Sequence, residues 1–126
     1  MEISWFKKDV HEGVATVYST NITINKKGCS RLDEYYGVLI GLVEKDKLIV
    51  IKPLTKDETL SPINSGNSPL KLSFGLSYAR VSSCEFIKSV SSLINYNFAQ
   101  GAKKYYTRWE EKENILIIDL KKEVGE

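Results

Sequence analysis

Residues 42–51 read Leu-Val-Glu-Lys-Asp-Lys-Leu-Ile-Val-Ile, and residues 109–118 read Trp-Glu-Glu-Lys-Glu-Asn-Ile-Leu-Ile-Ile, at an offset of 67 positions. Both stretches have the order apolar segment, charged turn, branched-apolar segment, which predicts a β-hairpin. The second segment of each hairpin is a nearly continuous apolar run, typical of a strand that is buried on both faces. The charged turns contain no glycine, so we expect them to be longer than two-residue turns.

The similarity between the two halves continues upstream of each hairpin. Ile22-Thr23-Ile24-Asn25 aligns with Ala79-Arg80-Val81-Ser82 at an offset of 57 positions, so the second copy has ten additional residues before its hairpin. A helix is predicted after each of these segments. In the first copy, Asn25 stands at the helix cap and Gly37 ends a short helix. In the second copy, Ser82 and Glu85 match a capping box. The apolar residues that follow recur at helical spacing: Phe86, Ile87, Val90, Leu93 and Ile94.

A further β segment precedes each helix cap, at 14–18 and at 70–76, so the repeated unit is predicted to be β-β-α-β-β. The first copy covers about 14–54 and the second about 70–121. The stretch 55–69, rich in Pro, Ser, Asn and Gly, is predicted to be a linker. Because a unit of roughly 40 to 50 residues is too small to build a good core alone, the two copies are expected to pack on each other. The sequence therefore predicts one compact domain over residues 1–126, α+β and mainly β, built as an intramolecular pseudo-dimer.

The N-terminal residues before the repeat include three large apolar side chains, Ile3, Trp5 and Phe6. Such side chains need burial, so we expect this segment to form an extra edge strand or to cover an open face.

The order of elements in the first copy is similar to one known family. It runs from Ile22-Thr23-Ile24-Asn25-Lys26-Lys27 through a short helix and the strand Val38 to Val43, and ends at Leu48-Ile49-Val50-Ile51-Lys52-Pro53-Leu54. This order resembles the AbrB/MazE swapped-hairpin family (SpoVT-AbrB type), and the second copy resembles it more weakly. The resemblance implies a small barrel of interleaved hairpins. One departure is that Asn25 and Ser82 stand where the family has a proline at the helix start.

The resemblance also implies a function, because members of this family are DNA-binding transcriptional regulators and antitoxins. The cations expected to contact double-stranded DNA are Lys26, Lys27, Arg31 and Arg80. The connection Ser19-Thr20-Asn21 departs from the family, since it has no cation where DNA-binding members carry Arg and Lys.

An alternative function is a non-enzymatic protein-interaction module that keeps the barrel without binding DNA. Trp5 and Phe6, or the linker, would then contact a protein partner. The net charge of +2, from 18 Lys and Arg against 16 Asp and Glu, favours this alternative, because nucleic-acid-binding proteins usually carry a larger basic excess.

No group of residues predicts catalysis, a cofactor or a metal site. The only histidine, His11, lies outside both copies, so serine or cysteine hydrolysis lacks its usual base. Cys29 and Cys84 are too far apart in sequence for a C-x-x-C site, and we expect them to be reduced, packed thiols. No glycine-rich phosphate-binding motif occurs. The chain is therefore predicted to be neither an enzyme nor a cofactor-binding protein.

The longest apolar run, Leu48 to Ile51, is far shorter than the roughly 20 residues that a membrane-spanning helix requires. The first residues also lack the charge order of a secretory signal. We therefore expect a cytoplasmic protein without membrane contact. It would be a monomer, or a homodimer if an open sheet edge pairs two chains.

Overall fold

The structure is a computed structural model, and it describes residues 1–5, 13–61 and 66–125. Strands dominate these ranges, as predicted. The strands are β1 (Gly13–Val17), β2 (Asn21–Asn25), β3 (Gly37–Val43), β4 (Leu48–Leu54), β5 (Leu70–Lys71), β6 (Ser73–Phe74), β7 (Tyr78–Ser82), β8 (Lys103–Glu110) and β9 (Ile115–Glu123). The helices are α1 (Lys26–Cys29), α2 (Lys56–Leu60) and α3 (Cys84–Ile94), with 3₁₀ turns at Ser30–Leu32 and Phe98–Gln100.

The strands form one antiparallel sheet in the order β5-β3-β4-β9-β8-β1-β2-β7-β6. Its two terminal strands belong to the same short segment of chain, because only Leu72 separates β5 from β6. β5 pairs with β3, and β6 pairs with β7. The sheet therefore curves until its ends meet, and the fold is a nearly closed nine-stranded barrel.

The core fills the inside of this barrel. Alternate residues of the strands point inward, as the two-residue period of a strand requires. The fully buried inward side chains include Val17, Ile22, Ile24, Val38, Ile49, Ile51, Val81, Tyr105, Leu116 and Ile118. Helix α3 adds Ile87 and Val90 to the core, and Phe86, Leu93 and Ile94 pack against it, which confirms the predicted helical stripe.

Two of the strand pairs that the sequence aligned with each other are neighbours in the barrel. β4 pairs with β9, and Val50 lies opposite Ile117 in that pair. β2 pairs with β7, and Thr23 lies opposite Arg80. The two hairpin loops, 44–47 and 111–114, each contain four residues and no glycine, so the prediction of longer turns is confirmed.

The side chain of Asn25 links α1 to β1 through hydrogen bonds. Its Oδ1 accepts hydrogen bonds from the backbone N–H of Gly28 at 3.0 Å and of Val14 at 3.1 Å. The first bond confirms Asn25 as the predicted helix cap. The strand and the helix approach closely at two glycines, since a Cβ on Gly13 would lie 2.3 Å from the Cα of Gly28. One amide side chain therefore holds both the first turn of α1 and the start of β1.

The cap of α3 differs from the prediction. The structure places the cap at Ser83, whose side chain accepts a hydrogen bond from the N–H of Phe86 at 3.2 Å. Ser82 cannot act as the cap because it is the last residue of β7, paired with Asn21 of β2. The predicted N-cap, Ser82, is therefore wrong by one residue, and with it the pairing of Ser82 and Glu85 in a capping box.

The predicted linker contains an element that the sequence analysis did not recognise. Thr55 and Glu58 form a capping box, in which each side chain accepts a hydrogen bond from the other residue's backbone N–H, and helix α2 follows. The predicted strand 70–76 is also shorter than expected. It is interrupted at Leu72 and ends at Phe74, and both Phe74 and Leu76 are exposed.

Four burial predictions need correction. The outward side chains Leu48 and Val50 of β4 are only partly buried, so this strand is not covered on both faces. Cys84 is exposed rather than packed, because it begins α3 on the solvent side, whereas Cys29 is buried.

Ile3 and Trp5 are exposed and belong to no strand, because no described part of the chain packs over them. Phe6 and His11 lie outside the described residues.

Replacing Asn25 by Ala should lower the free energy of unfolding by about 1 to 2 kcal/mol, because two backbone N–H groups lose their acceptor. Urea denaturation followed by circular dichroism measures this change. Asn25→Asp is the matched control, since it keeps an acceptor at the same position and is expected to unfold near the midpoint of the unaltered protein. Equal midpoints for the Ala variant and the unaltered protein would show that Asn25 does not hold these elements.

Candidate nucleic-acid interface

Four adjacent strands, β8, β1, β2 and β7, present a continuous outward surface, which we call the four-strand face. Lys104 lies opposite Thr16, Thr16 opposite Thr23, and Thr23 opposite Arg80. The side chains of Lys104 and Arg80 are exposed, and the two threonines between them are partly exposed. A row across the barrel therefore has a cation at each end and hydroxyl groups between them.

A second row runs parallel to the first. It contains Tyr106, Val14, Asn25 and Tyr78, in the order of the same four strands. The guanidinium of Arg80 lies 5.1 Å from the ring centroid of Tyr78, which is a cation–π distance. This contact orients the Arg80 side chain along the surface.

The outward positions of the four-strand face carry no carboxylate before Glu110, at the far end of β8. Among the described residues, no Asp or Glu forms an ion pair with Lys26, Lys27, Arg80 or Lys104. These four cations are therefore available to an anionic ligand.

The structure brings two of the predicted DNA-binding residues close to the same side chain. Lys26 lines a cavity of about 160 Å³ together with Tyr78 and the β6–β7 turn, while Arg80 stacks on Tyr78. Lys27 follows Lys26 on the exposed side of α1. The predicted residues Lys26 and Arg80 therefore border one end of the four-strand face.

Arg31 lies in a different environment. Its guanidinium forms an ion pair with Glu111 at 3.2 Å and lies 5.6 Å from the ring centroid of Trp109. Both partners belong to the β8–β9 hairpin. Because a paired guanidinium must give up its carboxylate to bind a phosphate, Arg31 is the least available of the four predicted cations.

Lys104 is not one of the four cations predicted to contact DNA, although it completes the row on the four-strand face. It is adjacent to Lys103 in the sequence, and neighbouring residues of a strand point to opposite sides. Lys103 points to the end of the barrel, where its Nζ lies 4.2 Å from the ring centroid of Tyr96 and 3.6 Å from a carboxylate oxygen of Glu123. Lys104 points outward, opposite Thr16.

A cluster of paired charges, Asp119 with Arg108 and Lys121, lies beside the four-strand face. The carboxylate of Asp119 lies 3.4 Å from Arg108 and 3.1 Å from Lys121, and it accepts a hydrogen bond from the backbone N–H of Lys121 at 3.0 Å. Burial by itself raises the pKa of Asp119. The hydrogen bonds from Lys121 and the charges of Lys121 and Arg108 outweigh that effect, so the pKa lies below its ordinary value.

The described residues contain no cluster of three or more His, Cys, Asp or Glu side chains that could hold a metal ion. Burial, followed by the charge of Asp33, raises the pKa of the Cys29 thiol, so this sulfur is protonated at neutral pH and is a poor nucleophile. No helix among the described residues is both long enough and apolar enough to cross a membrane.

Comparison of the chain with protein-family models, with curated proteins and with solved structures finds no match.

Asp119→Asn should lower the free energy of unfolding at pH 7. It should also make that free energy depend less on pH in the acid range. A carboxyl whose folded pKa is lowered stabilises the fold above its unfolded pKa of about 3.9, and this contribution disappears as the pH falls through the folded value. Urea midpoints at pH 7 and near pH 2 for both proteins test this expectation. A difference between the two proteins that is the same at both pH values would contradict it.

Proposed function

We propose that this chain is a small DNA-binding transcriptional regulator or antitoxin-like protein, and that its four-strand face binds the duplex. The observation that carries this proposal is the row of Lys104, Thr16, Thr23 and Arg80, with cations at both ends and no carboxylate among its members. Phosphates are bound by such cations, and hydroxyl and amide groups can reach base edges.

The dimensions of the row support this mode of binding. Neighbouring strands lie about 4.8 Å apart, so the backbones of β8 and β7 are separated by roughly 14 Å. The major groove of B-DNA is about 12 Å wide and accepts a two-stranded β ribbon. Because the barrel wall is convex, β1 and β2 protrude between the outer strands. In this arrangement β1 and β2 enter the groove, and Lys104 and Arg80 reach phosphates on its two sides.

We also propose that the barrel is a fused pseudo-dimer of the two predicted copies. Val50 and Ile117 are counterparts at the offset of 67 and lie opposite each other, and Thr23 and Arg80 are counterparts at the offset of 57 and do the same. A two-fold axis that passes between two equivalent strands places the residue nearest the axis opposite its own counterpart. This register supports the pseudo-dimer, as does the resemblance of the first copy to the swapped-hairpin family.

The pseudo-dimer has a consequence for the DNA site. The axis between β2 and β7 would relate Arg80, a cation, to Thr23, which is neutral. The surfaces on the two sides of this axis therefore differ in charge. We expect the chain to bind an asymmetric DNA sequence rather than a palindrome.

A specific observation also favours the alternative of a protein-interaction module. The outer surface of β3 and β4 carries a groove whose lining combines the apolar residues Leu39, Gly41 and Val50 with Lys52 and Asn67. This surface lies on the opposite wall of the barrel from β1, four strands away in the sheet order. A protein partner would bind there without contacting the four-strand face.

Titration of labelled mixed-sequence duplexes, followed by fluorescence anisotropy at several salt concentrations, should show binding that weakens steeply with salt. Arg80→Ala and Lys104→Ala should each lower the slope of log affinity against log salt by about 0.9, the value for one lost phosphate contact. Lys26→Ala is expected to act in the same direction. Arg31→Ala should have a smaller effect, because Arg31 is paired with Glu111.

The matched control is Lys45→Ala, which removes an exposed lysine from the β3–β4 loop, away from the four-strand face. Its slope should equal that of the unaltered protein. Anisotropy that stays flat at low salt up to about 100 µM protein, the weak limit of ordinary non-specific DNA binding, would refute DNA binding by this chain.

A further inference from the structure

Within the described residues, one edge of β3 has no paired strand over most of its length. β4 pairs with all seven residues of the strand, Gly37–Val43. On the other side, β5 pairs only with Gly37 and Val38, and the N–H of Leu72 donates to the carbonyl of Tyr36 at 2.9 Å. From Leu39 onward, no strand in the described part of the chain pairs with this edge.

The free groups on this edge can be identified from the strand period. Alternate residues of an antiparallel strand direct their backbone groups to the same side. The carbonyl of Tyr36 and the backbone groups of Val38 face β5. Ile40 and Leu42 follow Val38 at two-residue intervals, so their N–H and C=O groups face the open side. The sequence Leu39-Ile40-Gly41-Leu42-Val43 has no charged residue and no proline, the features that usually protect an edge strand from pairing.

The predicted counterpart of β3 shows what can occupy such an edge. β8 stands in the equivalent position of the second copy, and the five residues of β1, Gly13–Val17, pair along it. A short strand can therefore pair along a hairpin strand of this barrel.

An empty groove lies beside the open edge on the outer surface. It has a volume of about 300 Å³, and its lining residues include Leu39, Gly41, Val50 and Lys52. A Cβ built on Gly41 would meet no atom within 4 Å. Side chains of neighbouring strands meet on the same face, so an added strand would place large apolar side chains over this space.

The chain contains an unpaired segment with matching properties. Met1-Glu2-Ile3-Ser4-Trp5 alternates apolar and polar residues, the pattern of a half-buried strand. Ile3 is 54% exposed and Trp5 is 76% exposed, so the described part of the chain buries neither side chain.

We propose that residues 1–5 of a second copy add as a strand to the open edge of β3, with Ile3 and Trp5 lying in the groove over Gly41. The occupant is a second copy because the described part of one chain neither covers this segment nor pairs with the edge of β3 beyond Val38. Reciprocal exchange of the two segments gives a closed two-fold dimer, in which both edges are paired. The proposal does not depend on DNA binding, because the four-strand face lies on the opposite wall of the barrel.

Sedimentation equilibrium of the full chain tests the proposal. The unaltered protein should show a monomer–dimer equilibrium, and its tryptophan emission should shift to shorter wavelength as the concentration rises. Deletion of residues 1–5 should weaken dimerisation at least about tenfold, the effect of 1.4 kcal/mol of lost contact energy. Gly41→Lys, which puts a charged side chain into the groove, should do the same while leaving the fold intact. The matched control is Gly125→Lys, because a Cβ at that glycine also meets no atom within 4 Å.

Three outcomes would overturn the proposal. One is a monomer at every concentration up to about 1 mM, the weak end of specific association. Another is a dimer that forms equally well after deletion of residues 1–5, since its interface would lie elsewhere. The third is a monomer whose emission shows a buried Trp5 at every concentration, because the segment would then occupy its own barrel. DNA titrations of the same variants report on the four-strand face independently.

Discussion

Backbone pairing by one short segment, residues 70–74, closes the sheet of this protein. Leu70 and Lys71 pair with β3, and Ser73 and Phe74 pair with β7 at the other end of the strand order. Leu72, between the two pairs, points into the core and is buried. Without this segment the sheet would have two long free edges, each exposing unsatisfied N–H and C=O groups. Closure also gives the barrel an inside that the inward apolar side chains can fill.

The two proposed surfaces follow from this closure. Because the barrel is closed around its core, β1 and β2 lie on the opposite wall from β3. The first wall carries the row of cations and hydroxyl groups. The second wall carries the open edge, since β5 is only two residues long and pairs with β3 only at Gly37 and Val38. The proposed DNA contact and the proposed self-association therefore concern opposite walls of the barrel.

Much of the fold could be predicted from the sequence, because strand alternation and helical spacing are local signals. The two hairpins, the cap at Asn25 and the apolar stripe of α3 all agree with the structure. The errors arose where tertiary pairing competed with a local motif. Ser82 matched a capping box, but its place in the β2–β7 ladder moved the cap to Ser83. The box at Thr55 and Glu58 was present in the sequence and was overlooked because the surrounding composition indicated a linker.

By itself, the sequence determined which segments are strands or helices and which of their faces are apolar, because these properties depend on residues a few positions apart. Only the tertiary structure decided which cations are available. Lys103 and Lys104 are adjacent in sequence, yet one reaches Tyr96 and Glu123 while the other joins the four-strand face. Arg31 is paired because the β8–β9 hairpin places Glu111 and Trp109 beside it. The physical reason is that the charge a ligand meets depends on partners that distant parts of the chain supply, and only folding brings those parts together.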